Sequence, residues 1–147
     1  MFLQKQMDEV MEWIRDDYFI STDKNLLSVP TVHDFLSRSF RSTSRPLSEV
    51  ARSIENSMCF GMYHRGRQIG FARVVSDLAT VYMLSDVFVV EEYRGKGLGK
   101  WLLECITKMP ELKDLIGFLA TRNAQGLYKK YGFRTLENPR IMMLRVP

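Results

Sequence analysis

The sequence predicts one mixed α/β domain, and three observations carry that expectation. Strand-like runs follow one another through residues 58–90 with short turns between them. After residue 99 helical and strand patterns alternate, as crossover units require. The run over 80–90 is apolar on both faces, which suits a sheet covered by helices on its two sides. With 147 residues, 46% of them hydrophobic, the chain can bury a single core.

Taken in order, Met7, Val10, Met11 and Ile14 recur at helical spacing with Asp8, Glu9 and Glu12 between them, and predict a helix over 4–16. Residues 1–17 are therefore expected to form an N-terminal helical extension, with the domain spanning 18–147. Tyr18–Thr22 reads as a short strand. Val29, Val32, Phe35, Leu36 and Phe40 stripe one helix, which tolerates Pro30 in its first turn. Leu47, Val50, Ala51 and Ile54 stripe another, entered through Pro46.

Strands are expected over 58–63, 68–75 and 80–90. In the last, Tyr82, Leu84, Asp86, Phe88 and Val90 share a face by the two-residue period, and Met83, Ser85, Val87 and Val89 share the other. A helix over 99–109 carries Trp101, Leu102, Cys105, Ile106 and Met109 inward and stops at Pro110. A buried strand over 115–120, a helix over 123–131 and a final strand over 141–146 complete the pattern. The apolar Ile141-Met142-Met143-Leu144 either fills the core or joins a dimer contact, so monomer and homodimer are both open.

The densest signal lies where Val87-Phe88-Val89 runs into Arg94-Gly95-Lys96-Gly97-Leu98-Gly99-Lys100. Glycines there permit backbone conformations closed to other residues and let a ligand approach the main chain. The helix that follows presents unpaired N–H groups and partial positive charge at its start. Together these features suit a phosphate or diphosphate. A dinucleotide fingerprint requires a glycine where Lys100 stands, and a P-loop requires four residues between its first glycine and a Gly-Lys pair followed by Ser or Thr; neither fits.

What remains, Arg94-x-x-Gly97-x-Gly99, resembles the acyl-CoA diphosphate loop of the GNAT acetyltransferases. Downstream, Leu127-Tyr128-Lys129-Lys130-Tyr131-Gly132-Phe133 resembles the Leu-Tyr-x-x-x-Gly-Phe signature of the same family. The resemblance covers residues 18–146, with specific motifs in these two segments. It implies a mostly antiparallel sheet of six to seven strands with helices on both faces. It also implies acetyl-CoA as co-substrate, acyl transfer to a primary amine of a small molecule or peptide, and Tyr128 as general acid. The coenzyme's diphosphate would meet the amides of Gly95 to Lys100, and its pantetheine arm would pair with Val87, Phe88 and Val89. The family often places an Asn seven residues before the tyrosine. Here Thr121 holds that position, and Asn123, five before, suits a helix cap as well as a coenzyme contact.

Asp86 stands inside an apolar strand, where an ionised carboxylate is costly unless paired. Burial would raise its pKa toward that of a catalytic base; an arginine or amide partner would make it structural instead. Ser37–Arg45 combines hydroxyls with Arg38, Arg41 and Arg45, which either form a solvated connector or recognise an anionic group on the acceptor.

Composition narrows the partners. The net charge of +4 is too mild, and basic runs too short, to argue for nucleic acid. No apolar run is long enough to span a membrane, and the first residues lack the basic-then-apolar secretory pattern. Cys59 and Cys105 sit in apolar surroundings and, with His33 and His64, share no metal-ligand spacing, so buried thiols and no metal are expected. These features point to a cytoplasmic enzyme. A non-catalytic acyl-CoA-binding sensor is the competing expectation.

Overall fold

The structure, a computed structural model, describes residues 9–39 and 45–147. Its sheet has six strands in chain order: β1 (Glu12–Arg15), β2 (Tyr18–Ser21), β3 (Met58–His64), β4 (Arg67–Ser76), β5 (Val81–Val89) and β6 (Ile116–Phe118). The first five pair antiparallel with their neighbours, and β6 joins β5 in parallel. Helices α1 (Val29–Ser39) and α2 (Leu47–Glu55) cover one face, where Phe35 stacks on Phe88 with centroids 3.9 Å apart. Helix α3 (Leu98–Thr107) covers the other, close enough that a Cβ added to Gly99 would lie 4.0 Å from Val89 Cγ2. The short helix α4 (Gln125–Lys129) follows β6. Fully buried Ile20, Phe60, Met62, Ile69, Phe71, Leu102 and Ile106 form the core between these layers.

Four expectations need correction. Residues 12–15 form a strand rather than part of a helix. Met11 and Trp13 turn inward, with Trp13 stacked 6.0 Å from Phe60, whereas Ile14 is 79% exposed. The two-residue period of Met11 and Trp13 thus prevails over the helical spacing of Met11 and Ile14. Residues 1–8 lie outside the described residues.

The second correction concerns β5. Phe71 pairs with Phe88 but Arg73 pairs with Ser85, so one residue of β4 faces two of β5 at Asp86 and Val87. Asp86 takes φ 53° at this bulge. A bulge moves the residues beyond it to the opposite face. Phe88 accordingly joins Phe71 and Arg73 under α1, while Tyr82 and Leu84 face the other way.

Third, the strand expected over 115–120 shortens to Ile116–Phe118 and lies at the sheet edge, with Ile116 exposed. Finally, Ile141–Val146 forms no strand. Pro139–Ile141 makes a 3-10 turn in which Asn138 Oδ1 accepts the Arg140 amide, in keeping with the turn-forming habit of Asn-Pro. Ile141, Met142, Met143, Leu144 and Val146 then stay exposed and fill no core.

Both cysteines are buried and free. Burial pushes the Cys59 thiol up to about 12 and the Cys105 thiol to about 11. In the folded protein neither should react with an aromatic disulfide reagent near about pH 8, and both should react once guanidinium unfolds it. Rapid native labelling of either cysteine would contradict this packing.

Candidate functional site

The register of the sheet opens the site. Val81, Tyr82 and Met83 pair with Ile116, Gly117 and Phe118, and the pairing of β5 with β6 ends there. Past this point the β6-side main chain of residues 84–89 has no strand partner among the described residues. A segment of Leu119 to Ala124 runs opposite instead. The separation leaves a cleft of about 960 Å³ lined by β5 residues 84–89, residues 119–124, the glycine turn, and Leu127 and Tyr128. An extended ligand laid here would find the unpaired edge of a strand, whose N–H and C=O groups form hydrogen bonds without regard to side chain.

One end of the cleft is the glycine turn. A 3-10 turn, Glu91–Tyr93, leads from β5 to Arg94. Gly95 and Gly97 both take φ 78°, a region that side-chain-bearing residues rarely enter. Gly97 is the N-cap of α3, and the Trp101 amide donates the first helical hydrogen bond to the Gly97 carbonyl. The amides of Leu98, Gly99 and Lys100 therefore precede the helical ladder, at its positive end. Arg94 Nε donates to the Val89 carbonyl at 3.0 Å, anchoring the turn to the strand. Tyr93 is held from behind, its hydroxyl 2.9 Å from His64 Nδ1, while His64 Nε2 lies 2.9 Å from Asp17 Oδ2.

Asp86 occupies the bulge. Arg45 Nη1 and Nη2 donate to its two carboxylate oxygens at 3.0 and 2.7 Å, and Arg73 Nε donates to Oδ2 at 2.9 Å. Burial pushes the Asp86 carboxyl up, but hydrogen bonds from Arg45 and Arg73 outweigh it and hold the pKa below its ordinary value. The expected rise toward the range of a base is thus reversed. Its side chain is only 9% exposed, and arginine supplies the bidentate geometry that makes such burial tolerable.

At the cleft's other wall Tyr128 is half-buried, its ring edge-on to Phe133 at 6.0 Å. Burial pushes its phenol pKa up. Gly132, at φ 91°, reverses the chain after α4 and brings Phe133 back, with its amide donating to the Tyr128 carbonyl at 3.3 Å. The capping role expected of Asn123 is not seen. Ala124 is the N-cap, without a side-chain cap bond, and its amide donates to Thr121 Oγ1 at 3.1 Å. The Thr121 hydroxyl, three residues before Ala124, reaches that amide, and Asn123 lines the cleft instead.

The cleft thus gathers Asp86, Val87, Phe88, Val89, Arg94, Gly95, Gly97, Leu98, Gly99, Lys100, Asn123 and Tyr128. Lys96 is not among its lining residues; its ammonium lies 5.5 Å from the centre of the Tyr93 ring. Of the connector arginines, Arg38 pairs with Asp34 and Glu91, Arg45 pairs with Asp86, and Arg41 lies outside the described residues. Sequence reasoning missed Arg73, because β-strand arginines usually face solvent and only the bulge reveals its partner. It also missed Phe35, Tyr93 and Arg122, which line the cleft but belong to no spaced motif.

Fold and cleft together define a class, an α/β domain with an opened sheet edge beside a glycine turn that leads into a helix N-terminus. A model of the GNAT acetyltransferase domain matches residues 55–135. The structure of a GNAT-family protein from Xanthomonas campestris pv. campestris is 42% identical in sequence, with a TM-score of 0.84 over 88% of this chain and 93% of that one. The peptidyl-lysine N-acetyltransferase YjaB of Salmonella typhimurium is 31% identical over 73% of this chain and 70% of its own. A GNAT-family acetyltransferase from Elizabethkingia anophelis, solved with acetyl-CoA bound, shares the fold at 19% identity, with a TM-score of 0.64 over 84% of this chain and 80% of that one. Three further curated relatives, from Gibberella zeae, Gracilaria tenuistipitata and Glycine max, are matched over 66%, 54% and 45% of their lengths. The chain belongs to the GNAT acetyltransferase family, whose members are transferases. Among the described residues no helix is long and apolar enough to cross a membrane, and no group of three metal-ligating side chains comes together.

Proposed function

We propose that this protein transfers the acetyl group of acetyl-CoA to a primary amine of a small molecule or peptide. One observation carries the reading most directly: the unpaired edge of β5, the amides of residues 98–100 and the Tyr128 side chain all belong to one cleft. Gly95 to Lys100 would hold the coenzyme's diphosphate by main-chain N–H groups, with Arg94 and Lys100 adding positive charge. The main chain of Val87 to Val89 would pair with the pantetheine arm. The coenzyme supplies an activated thioester carbonyl and a thiol leaving group. Amides aimed at the carbonyl oxygen would stabilise developing negative charge, an effect of about 3 kcal/mol where geometry allows. Tyr128 would hold a proton at Oη for the departing sulfur.

Asp86 is not the base in this reading. It is the only acidic residue among the described residues that line the cleft, and its carboxylate is already committed to two guanidiniums. The amine would lose its proton to water, helped by positive charge nearby, since a like charge disfavours an ammonium. The lack of a free carboxylate there is also what favours the second reading, a domain that binds acyl-CoA without catalysis.

Calorimetry with acetyl-CoA, paired with an assay of thiol release over a panel of amines, tests both. Binding with release supports transfer, binding without release for any amine favours the sensor, and no binding defeats both. The glycine turn gives a sharper prediction. Gly97→Val should leave the fold intact but weaken acetyl-CoA binding by about tenfold or more, because a side chain at φ 78° costs about 1–2 kcal/mol and displaces the amides that follow. Unchanged affinity would remove the turn from the coenzyme site.

A further inference from the structure

His64 is tied at both ring nitrogens, Nε2 to Asp17 Oδ2 and Nδ1 to the Tyr93 hydroxyl, each at 2.9 Å. The hydrogen bond from His64 holds the Asp17 carboxyl below its ordinary pKa, so the group is an ionised acceptor at neutral pH. A carboxylate cannot donate. In the neutral ring, therefore, Nε2 carries the proton and Nδ1 accepts from the Tyr93 O–H. The His64 side chain is only 14% exposed. Tyr18, its cross-strand neighbour on β2, stacks on the imidazole with centroids 4.3 Å apart and meets the Tyr93 ring edge-on at 6.3 Å. Packing and hydrogen bonding together fix both rings.

What this chain of groups holds is the approach to the glycine turn. Asp17 lies in the turn between β1 and β2 and His64 ends β3, both outside the cleft lining, whereas Tyr93 lines the cleft. Tyr93 closes the 3-10 turn and immediately precedes Arg94 and Gly95. Lys96, between the two positive-φ glycines, places its ammonium 5.5 Å from the Tyr93 ring centre. The Val90 amide, donating to the Ile69 carbonyl at 2.8 Å, fixes the entry to this segment, and buried Leu98 fixes its exit. Between them, nothing lies within 4 Å of where a Cβ would stand on Gly95 or Gly97. The ion pairs Arg67–Glu92 and Arg38–Glu91 also reach the segment, but all four side chains are more than half exposed, and such pairs contribute little in solvent. The half-buried tie is Tyr93 to His64. Resting on the reading of the cleft as an acetyl-CoA site, we propose that Asp17, His64 and Tyr93 are positioning residues for the coenzyme. They hold residues 93–97 in the shape that aims the following amides at the diphosphate, and so set acetyl-CoA affinity from outside the cleft. Glycines leave a turn free to sample other shapes, and a ligand that must first order it binds more weakly.

Calorimetry with acetyl-CoA on the full chain tests this in His64→Phe, Tyr93→Phe and the double variant. Phe keeps a ring at each position and removes the hydrogen bonds. Each single change should raise Kd by about 3- to 10-fold, the range of one hydrogen bond. The double variant should bind no more weakly than His64→Phe alone, because both changes remove the same contact. Where an amine is turned over, KM for acetyl-CoA should rise by the same factor with kcat held within about twofold. A role confined to stability would lower the melting temperature and leave Kd in place. That result, or additive losses in the double variant, would overturn the proposal. If His64→Phe fails to fold, Tyr93→Phe decides alone, since it removes a single hydroxyl. Absence of acetyl-CoA binding by the wild type would instead overturn the reading of the cleft, and would be seen before any variant is measured.

Discussion

Asp86→Ala should destabilise the fold by about 3–5 kcal/mol, because it leaves two partly buried guanidiniums facing each other without their counter-ion. Arg45 and Arg73 side chains are 22% and 15% exposed, so solvent cannot replace what the carboxylate supplies. Set against a typical total of about 5–15 kcal/mol, that is a large share. At about 2–4 °C per kcal/mol for a chain of this length, the melting temperature should fall by about 6–20 °C. The damage would also spread to the site, since Asp86 sits at φ 53° in the bulge that aims the last residues of β5. A variant melting within about 2 °C of the wild type would show that the ion cluster contributes little.

The same cluster sets an acid limb. The folded pKa of Asp86 lies below its unfolded value of about 3.9. A group depressed in this way contributes stability that is fully present above the unfolded pKa and is lost as pH falls through the folded one. The wild type should therefore lose stability progressively below about pH 4, and Asp86→Ala should show a shallower decline there. Were Asp86 a catalytic base instead, Asp86→Asn would abolish turnover in a protein of nearly normal stability, the reverse of what this geometry implies.

Much of the candidate site's backbone was legible because glycines and their spacing report backbone demands directly. Gly95, Gly97 and Gly132 all take positive φ, and no other residue type meets that requirement so readily. The strands over 58–90 were legible for a related reason, since period-two patterns survive wherever pairing is regular. What escaped the sequence were departures from regularity. A single extra residue at Asp86–Val87 reverses which side Phe88 faces, and nothing in Ser85-Asp86-Val87 signals it. The N-terminal hairpin escaped because Met11 satisfies both periods at once, and only Trp13 separates them. The exposed tail at Ile141–Val146 misled because apolar character reports a preference for burial, not a partner to bury against. Arg73 and Arg45 could not be joined to Asp86 from sequence, because they lie 13 and 41 residues from it.

Tyr128→Phe should slow turnover by roughly 10- to 100-fold, the lower part of the range for proton transfer, with acetyl-CoA affinity unchanged within about twofold. The bound is set by acidity. An alkyl thiol such as cysteine's titrates near 8.5 and an ordinary phenol near 10, and burial pushes Tyr128 higher still. A phenol that holds its proton so firmly is a poor match for a leaving group that barely needs one. Its benefit then comes mainly from a hydrogen bond to sulfur as charge develops there. The raised pKa has a compensating use, because Tyr128 stays protonated well above neutrality. Turnover in the wild type should accordingly hold through mildly alkaline pH and decline only as the phenol ionises, and Phe, which has no proton to lose, should erase that decline. Phe keeps the edge-on packing against Phe133, so the substitution isolates the hydroxyl. Wild-type turnover in the variant would leave the leaving group to solvent and remove Tyr128 from the chemistry. A loss larger than about 10⁴ would exceed what proton transfer supplies and would point to a disturbed coenzyme pocket, which the calorimetric affinity would reveal.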